Sequence, residues 1–384
     1  MEDKLIFDLI NDCLFNKRLP TYDKEQIDEQ VLLRLYKLSK IHDLAHVVCY
    51  ALIKNGLIEK GTQIYNAFLR EQQLAVIRYE QTNHELKFIC DVLEKEGIKF
   101  IPLKGSVLRD YYKEPWLRTS CDIDVLIKHD DLEKTTKLLT EKYQCSLTGR
   151  TEHDVSFMTV GNVHLELHFK LVEGNKSEKV LETVWERVKL KEGKNYHYLM
   201  NSEMYYFYHV AHMAKHFEDG GCGIRTFLDL YLMLENMPVD KLELDKLLGD
   251  GGLKAFCDAS KNLALSWFGG EEKTELSRRM EDYILGAGVY GNVQNRVAVH
   301  EGEKGGKFRY IFRRIFLPYS QLKILYPKIE KHKILTPFCG IHRWFKILFG
   351  GRAKRAVNEL KISANMDKEQ LNSTRKLISE LGLR

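Results

Sequence analysis

The chain has 384 residues, more than a single hydrophobic core usually organises, so we expect two or three domains. Its 44% hydrophobic and 29% charged residues and its net charge of +5 are ordinary for a soluble globular protein, and no apolar run approaches the roughly 18–20 residues that span a bilayer. The acidic N-terminus lacks the basic stretch of a secretory signal, and the eight cysteines form no C-x-x-C pair, which argues against a zinc site and favours reduced thiols in the cytoplasm.

The N-terminal part of the chain is predicted to be helical. Apolar residues recur at helical spacing over 27–38 and over 44–52, and Asn55-Gly56 closes the second of these helices. The pattern over 62–96 continues without Pro or Gly and predicts one long helix. We therefore assign residues 1–96 to an N-terminal helical scaffold.

A glycine turn followed by a D-x-D strand forms the centre of the next segment. Gly105-Ser106 follow an apolar strand predicted for 98–102, so the backbone N–H groups of the turn are placed to hold a phosphate. In the strand predicted for 122–128, Asp122 and Asp124 project from one face because side chains alternate. Two neighbouring carboxylates stay ionised together only beside a cation, and oxygen ligands favour Mg²⁺ or Mn²⁺.

This pattern indicates a metal–nucleotide site, although two simpler interpretations remain open. An isolated D-x-D pair is also compatible with solvated side chains, and Gly105-Ser106 with a plain strand-to-helix turn. If the two aspartates hold a metal rather than the core, their removal should relieve like-charge repulsion and slightly stabilise the metal-free protein.

Three more strands are predicted after a helix over 130–143 with Asp130 as its N-cap. They cover 144–150, 155–160 and 163–171, and Gly161-Asn162 predicts a hairpin between the last two.

In the last of these strands, polar and apolar residues alternate. His164, Glu166 and His168 share one face, while Val163, Leu165 and Leu167 share the other. The alternation predicts a half-buried sheet that lines a cleft.

The remaining chain is predicted to be helical, beginning with helices over 203–217 and 224–237. Further helices are predicted over 239–249, 252–268, 272–286, 307–317, 337–348, 352–363 and 367–381. His209, His212 and His216 share a helix face with aromatic neighbours, which favours a packed interface over a metal site. Arg225 and Asp229 are spaced to form an i,i+4 pair.

The arrangement LKGSVLRDYYKEPWLRTSCDIDVLI resembles the DNA polymerase β-like nucleotidyltransferase superfamily. Within it, the chain is similar to the family of uncharacterised nucleotidyltransferases, whose pattern is LKG, then an Arg, then DIDLLV. The resemblance covers residues 95–170 and implies an α+β fold: a small mixed β-sheet nucleotidyltransferase core flanked by an N-terminal helical scaffold and a C-terminal helical domain. Fifteen residues separate Ser106 from Asp122, more than in many superfamily members, so we expect an extra loop there.

The resemblance also implies roles for individual residues. Asp122 and Asp124 would be catalytic metal ligands, and Glu166 in the later strand matches the third carboxylate of the superfamily. Lys104, Gly105, Ser106 and Arg118 would bind the phosphates, although both cations are also compatible with surface positions. A possible role in positioning the nucleotide base or the acceptor is implied for five further residues, namely His168, His212, His216, Arg225 and Asp229.

The implied reaction is transfer of a nucleoside monophosphate from an NTP, with ATP expected, to an unidentified acceptor with release of pyrophosphate. Mg²⁺ or Mn²⁺ would act in a two-metal mechanism. One alternative is a non-catalytic nucleotide-binding module, against which the three carboxylates argue. Another is a nucleic-acid-binding protein on the same fold.

The C-terminal part differs in charge from the rest of the chain. Residues 301–384 contain 19 Lys and Arg against 7 Asp and Glu, a charge of +12, so residues 1–300 carry −7. We assign 97–175 to the catalytic core, 176–304 to a helical domain and 305–384 to a basic helical region. The basic region is expected to bind an anionic partner, either nucleic acid or a membrane surface, although packed helices with a charged outer face are the simpler interpretation.

Overall fold

The computed structural model describes residues 1–22, 26–173, 176–289, 291–300, 333–349 and 368–383, together with positions 319, 322, 326 and 329. The helices predicted over 307–317 and 352–363 lie outside the described residues. Within the described ranges, no helix is both long enough and apolar enough to cross a membrane.

Four helices form the N-terminal part, as the sequence predicts. They are α1 Glu2–Phe15, α2 Glu29–Ile41, α3 Ala45–Lys54 and α4 Gln63–Lys95. The side chain of Asp28 accepts a hydrogen bond from the backbone of Val31, and Thr62 does the same for Tyr65, so α2 and α4 begin at ordinary N-caps. The long helix predicted over 62–96 is confirmed.

The central sheet is mixed and has five strands in the order β1-β2-β5-β4-β3. Their bounds are β1 Phe100–Pro102, β2 Asp122–Ile127, β3 Ser146–Arg150, β4 Asp154–Met158 and β5 His164–His168. Only the β2–β5 pair is parallel; the other pairs are antiparallel. One face of the sheet is apolar and shares a core with Ile89, Val92 and Leu93 of α4. The opposite face therefore carries the polar side chains.

The connection between β4 and β5 is the predicted hairpin. Asn162 has a φ of 58°, in the left-handed region, and its amide donates to the carbonyl of Thr159 at 3.0 Å. A Cβ on Gly161 would lie 2.2 Å from Glu85 Oε1 of α4, so a larger residue there would require the Glu85 side chain to move.

One local prediction in this region needs correction. The helix α6, Leu132–Lys137, is preceded by a 3₁₀ turn over His129–Asp131 and makes no side-chain cap bond, so Asp130 is not its N-cap. The chain after the glycine turn forms the four-residue helix α5, Gly105–Leu108, and then a 3₁₀ turn. The extra loop before β2 contains another 3₁₀ turn, Pro115–Leu117.

Helices also dominate the C-terminal part. They are α7 Ser177–Leu181, α8 Ser202–Glu218, α9 Ile224–Asn236, α10 Lys241–Asp250, α11 Lys254–Ala264, α12 Glu275–Leu285, α13 Val293–His300, α14 Thr336–Phe349 and α15 Lys368–Glu380. A small hairpin of β6 Val188–Leu190 and β7 Tyr198–Met200 precedes α8. Helices from both ends of the chain share one hydrophobic core, and Phe7 of α1 stacks on Trp267 at a centroid distance of 4.7 Å. The division into separate domains stays a prediction.

Candidate active site

The D-x-D strand and the third-carboxylate strand are neighbours in the sheet. Parallel pairing of β2 with β5 aligns Asp122 with His164 and Asp124 with Glu166. Because side chains alternate along a strand, Asp122, Asp124 and Glu166 lie on the same polar face. Asp124 is only 4% exposed, while Asp122 and Glu166 are half-buried and line its open side.

Asp124 is the most strongly bound of the three carboxylates. Its Oδ1 atom lies 3.0 Å from Lys104 Nζ and 2.9 Å from His168 Nε2. His168 Nε2 is also 3.5 Å from Glu166 Oε2. Burial raises the pKa of Asp124, but Lys104 and His168 outweigh it and hold this pKa below its usual range. Burial likewise lowers the pKa of His168, yet its bonds to Asp124 and Glu166 raise the net pKa to about 9.

Asp122 has the opposite electrostatic environment. Its pKa is raised, first by burial and then by the charge of Asp124, and the charge of Lys104 offsets this only in part. The two aspartates of the motif are therefore not equivalent. Lys104 and His168 neutralise Asp124, whereas the charge of Asp122 is repelled by that of Asp124.

The polar face fits a divalent cation. One ligand atom each from Asp124, Glu166 and His168 lie within 4.8 Å of one another, and two of the three donors are carboxylate oxygens. This group includes His168, which was expected on the base or acceptor side, and it does not include Asp122. Lys104 and His168 neutralise Asp124 where a metal would bind, so an ion has to share this carboxylate with Lys104 or displace it.

The glycine turn is attached directly to the D-x-D strand. The amide of Leu103 donates to the carbonyl of Asp124 at 2.9 Å, and the hydroxyl of Tyr205 donates to the carbonyl of Lys104 at 2.8 Å. Lys104 has a φ of 46°, a strained backbone conformation that these contacts hold in place. A Cβ on Gly105 would lie 2.6 Å from Arg118 Nη1, so glycine is required for the close approach of the loop.

Arg118 is already paired. It is buried and forms two bonds with Asp229 of α9, from Nε to Oδ1 at 3.2 Å and from Nη2 to Oδ2 at 2.9 Å. The hydroxyl of Tyr112 donates to the same carboxylate at 2.7 Å. The expected pair between Arg225 and Asp229 is not formed; Arg225 bonds instead to Asp43, in the turn between α2 and α3.

The three histidines of α8 separate into two groups. The ring of His209 bonds to the carbonyl of Thr226 at 3.1 Å, away from the other two. His212 and His216 contact each other, and His212 also contacts Glu173. The described residues therefore show no three-histidine metal site on this helix.

Four residues that the sequence did not single out belong to this neighbourhood. Asp43 anchors Arg225, Arg109 donates from Nε to the carbonyl of Gly105 at 3.0 Å, and Glu173 binds His212. The buried hydroxyl of Tyr208 has no hydrogen-bond partner among the described residues. Asp43 and Glu173 lie outside the recognised motif, and only their tertiary contacts identify them; the four-residue spacing of Arg109 from Gly105 was the one signal available in the sequence.

Together, the fold and the site define a class of protein: an α+β nucleotidyltransferase-type core, with a glycine turn and three carboxylates on one face of a small mixed sheet. Residues 28–269 match the family model described as "Uncharacterised nucleotidyltransferase", so the chain belongs to this family. The resemblance inferred from the motif is thereby confirmed. No curated protein and no solved structure shows a significant match.

Proposed function

We propose that this nucleotidyltransferase transfers a nucleoside monophosphate from an NTP, ATP being the first to test, to a hydroxyl-bearing acceptor and releases pyrophosphate. The observation that carries the proposal is the pairing of Asp124 with Glu166 across parallel strands, on the face next to the glycine turn. A binding module needs no such concentration of carboxylates, since several like charges on one face are costly without a cation.

In this proposal, Asp122, Asp124 and Glu166 hold the metal, with His168 next to them. Mg²⁺ or Mn²⁺ held by these residues would supply Lewis-acid chemistry, which would lower the pKa of the acceptor hydroxyl and neutralise charge on the pyrophosphate. In this proposal the turn at Gly105 and Ser106 lies beside the phosphates, and Lys104 lies close enough to Asp124 to contact both the carboxylate and a phosphate oxygen.

The roles of the other predicted residues differ in support. Arg118 is committed to Asp229, which favours a structural role over phosphate binding. Arg225 retains exposed surface and its charge acts on Asp122, so it remains a candidate for binding the nucleotide.

All eight cysteines are free, which supports the proposed location in the cytoplasm.

The test of this function is pyrophosphate release from each of the four common NTPs, with Mg²⁺ or Mn²⁺ and with a chelator. We expect metal-dependent release from at least one NTP, and no release from a variant carrying both Asp122→Asn and Asp124→Asn. A metal-dependent thermal shift with an NTP but without release would identify a nucleotide-binding module instead.

The basic region over 305–384 stays a separate prediction, since most of it lies outside the described residues. If it binds the anionic partner, the full chain should bind RNA or acidic vesicles with an affinity that falls as salt rises. If the affinity for both probes did not change with salt, this would contradict the proposal that the region binds an anionic partner.

A further inference from the structure

Three side chains form a continuous hydrogen-bonded chain beside the candidate active site. Glu173 Oε2 lies 3.1 Å from His212 Nδ1, and His212 Nε2 lies 3.1 Å from His216 Nε2. Glu173 is buried, and Lys215 Nζ lies 3.4 Å from the same carboxylate oxygen. Both ring nitrogens of His212 are therefore engaged, one with a carboxylate and one with a second histidine.

The partners define where the hydrogens lie. Burial raises the pKa of Glu173, but His212 and Lys215 outweigh it and the pKa falls to about 2, so Glu173 is a carboxylate that only accepts. His212 Nδ1 must then carry a hydrogen. Burial first, and then a positive charge on His212 whenever that ring is protonated, lower the pKa of His216 to about 3, so His216 is neutral. One hydrogen is shared between the two Nε2 atoms, and a proton arriving at His216 Nδ1 is passed to His212, where Glu173 neutralises it.

Helix α8 connects this hydrogen-bonded chain to the glycine turn of the candidate active site. On α8, Tyr205 binds the carbonyl of Lys104, and the ring of Tyr208 lies 6.3 Å from the ring of His212. The spacing of Tyr205, Tyr208, His212 and His216 places them along one side of the helix.

The charges of the two regions also act on each other. The charge of Lys104, which is bound to Asp124, acts on Glu173 and on His216. The unpartnered hydroxyl of Tyr208 has a raised pKa, first through burial and then through the charges of Glu173 and Asp124. The sheet carboxylates and the histidine chain thus lie within electrostatic reach of each other, and Tyr208 is within reach of both.

We propose that Glu173, His212 and His216 form a proton relay that accepts the proton of the acceptor hydroxyl; this rests on the proposed nucleotidyl transfer. The acceptor oxygen bonds to the α-phosphorus as its O–H bond breaks, and the bond between the α-phosphorus and the bridging oxygen breaks to release pyrophosphate. The proton goes to His216 Nδ1, and the hydrogen on His216 Nε2 goes to His212 Nε2. The positive charge ends on His212 beside Glu173. His216 is the catalytic residue of the relay, and His212 and Glu173 are positioning residues.

The first experiment measures pyrophosphate release from ATP and Mg²⁺ with water as the acceptor, across about pH 6 to pH 9. His216→Gln should lower kcat by about 10²–10⁴-fold and leave the KM for ATP nearly unchanged, with activity recovering as pH rises. Glu173→Gln should lower kcat less, because His212 and His216 remain. His209→Gln is the matched control, since His209 lies on the same helix but bonds to Thr226; it should lower thermal stability and leave kcat of the folded enzyme unchanged.

Titratable groups on several elements face the relay and contribute to its pH profile, namely Lys104, His153, His209, Lys215 and the hydroxyl of Tyr208. Nitrogen NMR of the histidine side chains therefore provides a readout that does not depend on turnover. We expect His212 to carry a hydrogen on Nδ1 at neutral pH in the wild type. In Glu173→Gln, a smaller fraction of His212 should carry that hydrogen.

The outcomes separate the two proposals. Absence of release from every NTP by the wild-type protein would overturn the nucleotidyl transfer and the relay with it. Wild-type release that His216→Gln leaves unchanged in kcat and pH profile would overturn the relay alone. An unprotonated Nδ1 on His212 would also overturn it.

Discussion

Two buried carboxylates of this protein, Asp124 and Asp229, each bind a cationic side chain but lie in different surroundings. Asp229 receives two bonds from Arg118 and one from Tyr112, and the Arg118 and Asp229 side chains are 9% and 2% exposed. One anion thus meets one cation in a closed cluster. Asp124 binds Lys104 and His168, but its cluster also contains Glu166, with a side chain 29% exposed, and the repelled carboxylate of Asp122.

The difference indicates which cluster stabilises the fold and which performs chemistry. In the Asp229 cluster every charge is matched, so it fastens α9 to the loop before β2. The Asp124 cluster contains three carboxylates, more than its cationic partners Lys104 and His168 neutralise. It also opens to solvent at Glu166, so it can accept an added cation. The variants below test this distinction, from the largest expected effect to the smallest.

The largest effect is expected for Asp124→Asn. Turnover should fall by at least about a thousandfold, because the amide is a poor metal ligand and the change removes the best-held carboxylate. Loss of this charge also leaves Lys104 without its partner, so stability should fall rather than rise, which revises the expectation drawn from the sequence. Pyrophosphate release and urea denaturation measure the two effects. Near-normal turnover would contradict the assignment of chemistry to the Asp124 cluster.

Glu166→Gln should separate chemistry from nucleotide binding. The amide keeps the shape and removes the charge, so kcat should fall by about 10²–10³-fold while the affinity for the NTP changes little. Part of the activity should return as pH rises. Leu165→Ala is the control: this fully buried neighbour faces the apolar core, so the change should cost about 2–5 kcal/mol of stability and leave the kcat of the folded protein normal. Normal kcat in Glu166→Gln would transfer the third-carboxylate role to another acid.

Asp229→Asn should act on stability alone. It leaves the buried charge of Arg118 unneutralised, which typically costs about 3–5 kcal/mol. Combining it with Arg118→Met should recover part of that loss, because the unpaired charge is removed. Denaturant unfolding measures both, and the NTP affinity of the folded single variant should remain normal. A selective loss of NTP affinity would instead support the phosphate-binding role that the sequence predicted for Arg118.

The smallest effect is a gain, from Asp122→Asn. The pKa of Asp122 is raised in the folded state, so its ionised form costs stability near neutral pH. The variant should therefore be more stable than the wild type there. This difference should shrink as pH falls through the raised pKa, because the wild-type carboxyl then protonates as well. Thermal unfolding over a pH series measures it, and equal stability at neutral pH would contradict the repulsion.

Local pattern determined much of this fold. The helix over Gln63–Lys95 follows from uninterrupted apolar spacing and a threonine cap, and the β4–β5 hairpin follows from a Gly-Asn pair. Alternation along two strands was enough to place Asp122, Asp124 and Glu166 on faces of their own strands. The N-cap at Asp130 was wrong because the chain makes a 3₁₀ turn over His129–Asp131 before the helix begins.

Only the tertiary structure decided the charge partners. Arg225 and Asp229 are spaced to pair along one helix turn, yet each bonds to a residue more than a hundred positions away in sequence. Glu173 meets His212 for the same reason. A side-chain charge pairs with whichever opposite charge folding brings close in a region of low dielectric, and sequence spacing limits only neighbours on the same element. The sequence therefore determined the elements and the family, while the fold decided which carboxylates are neutralised and which remain open for chemistry.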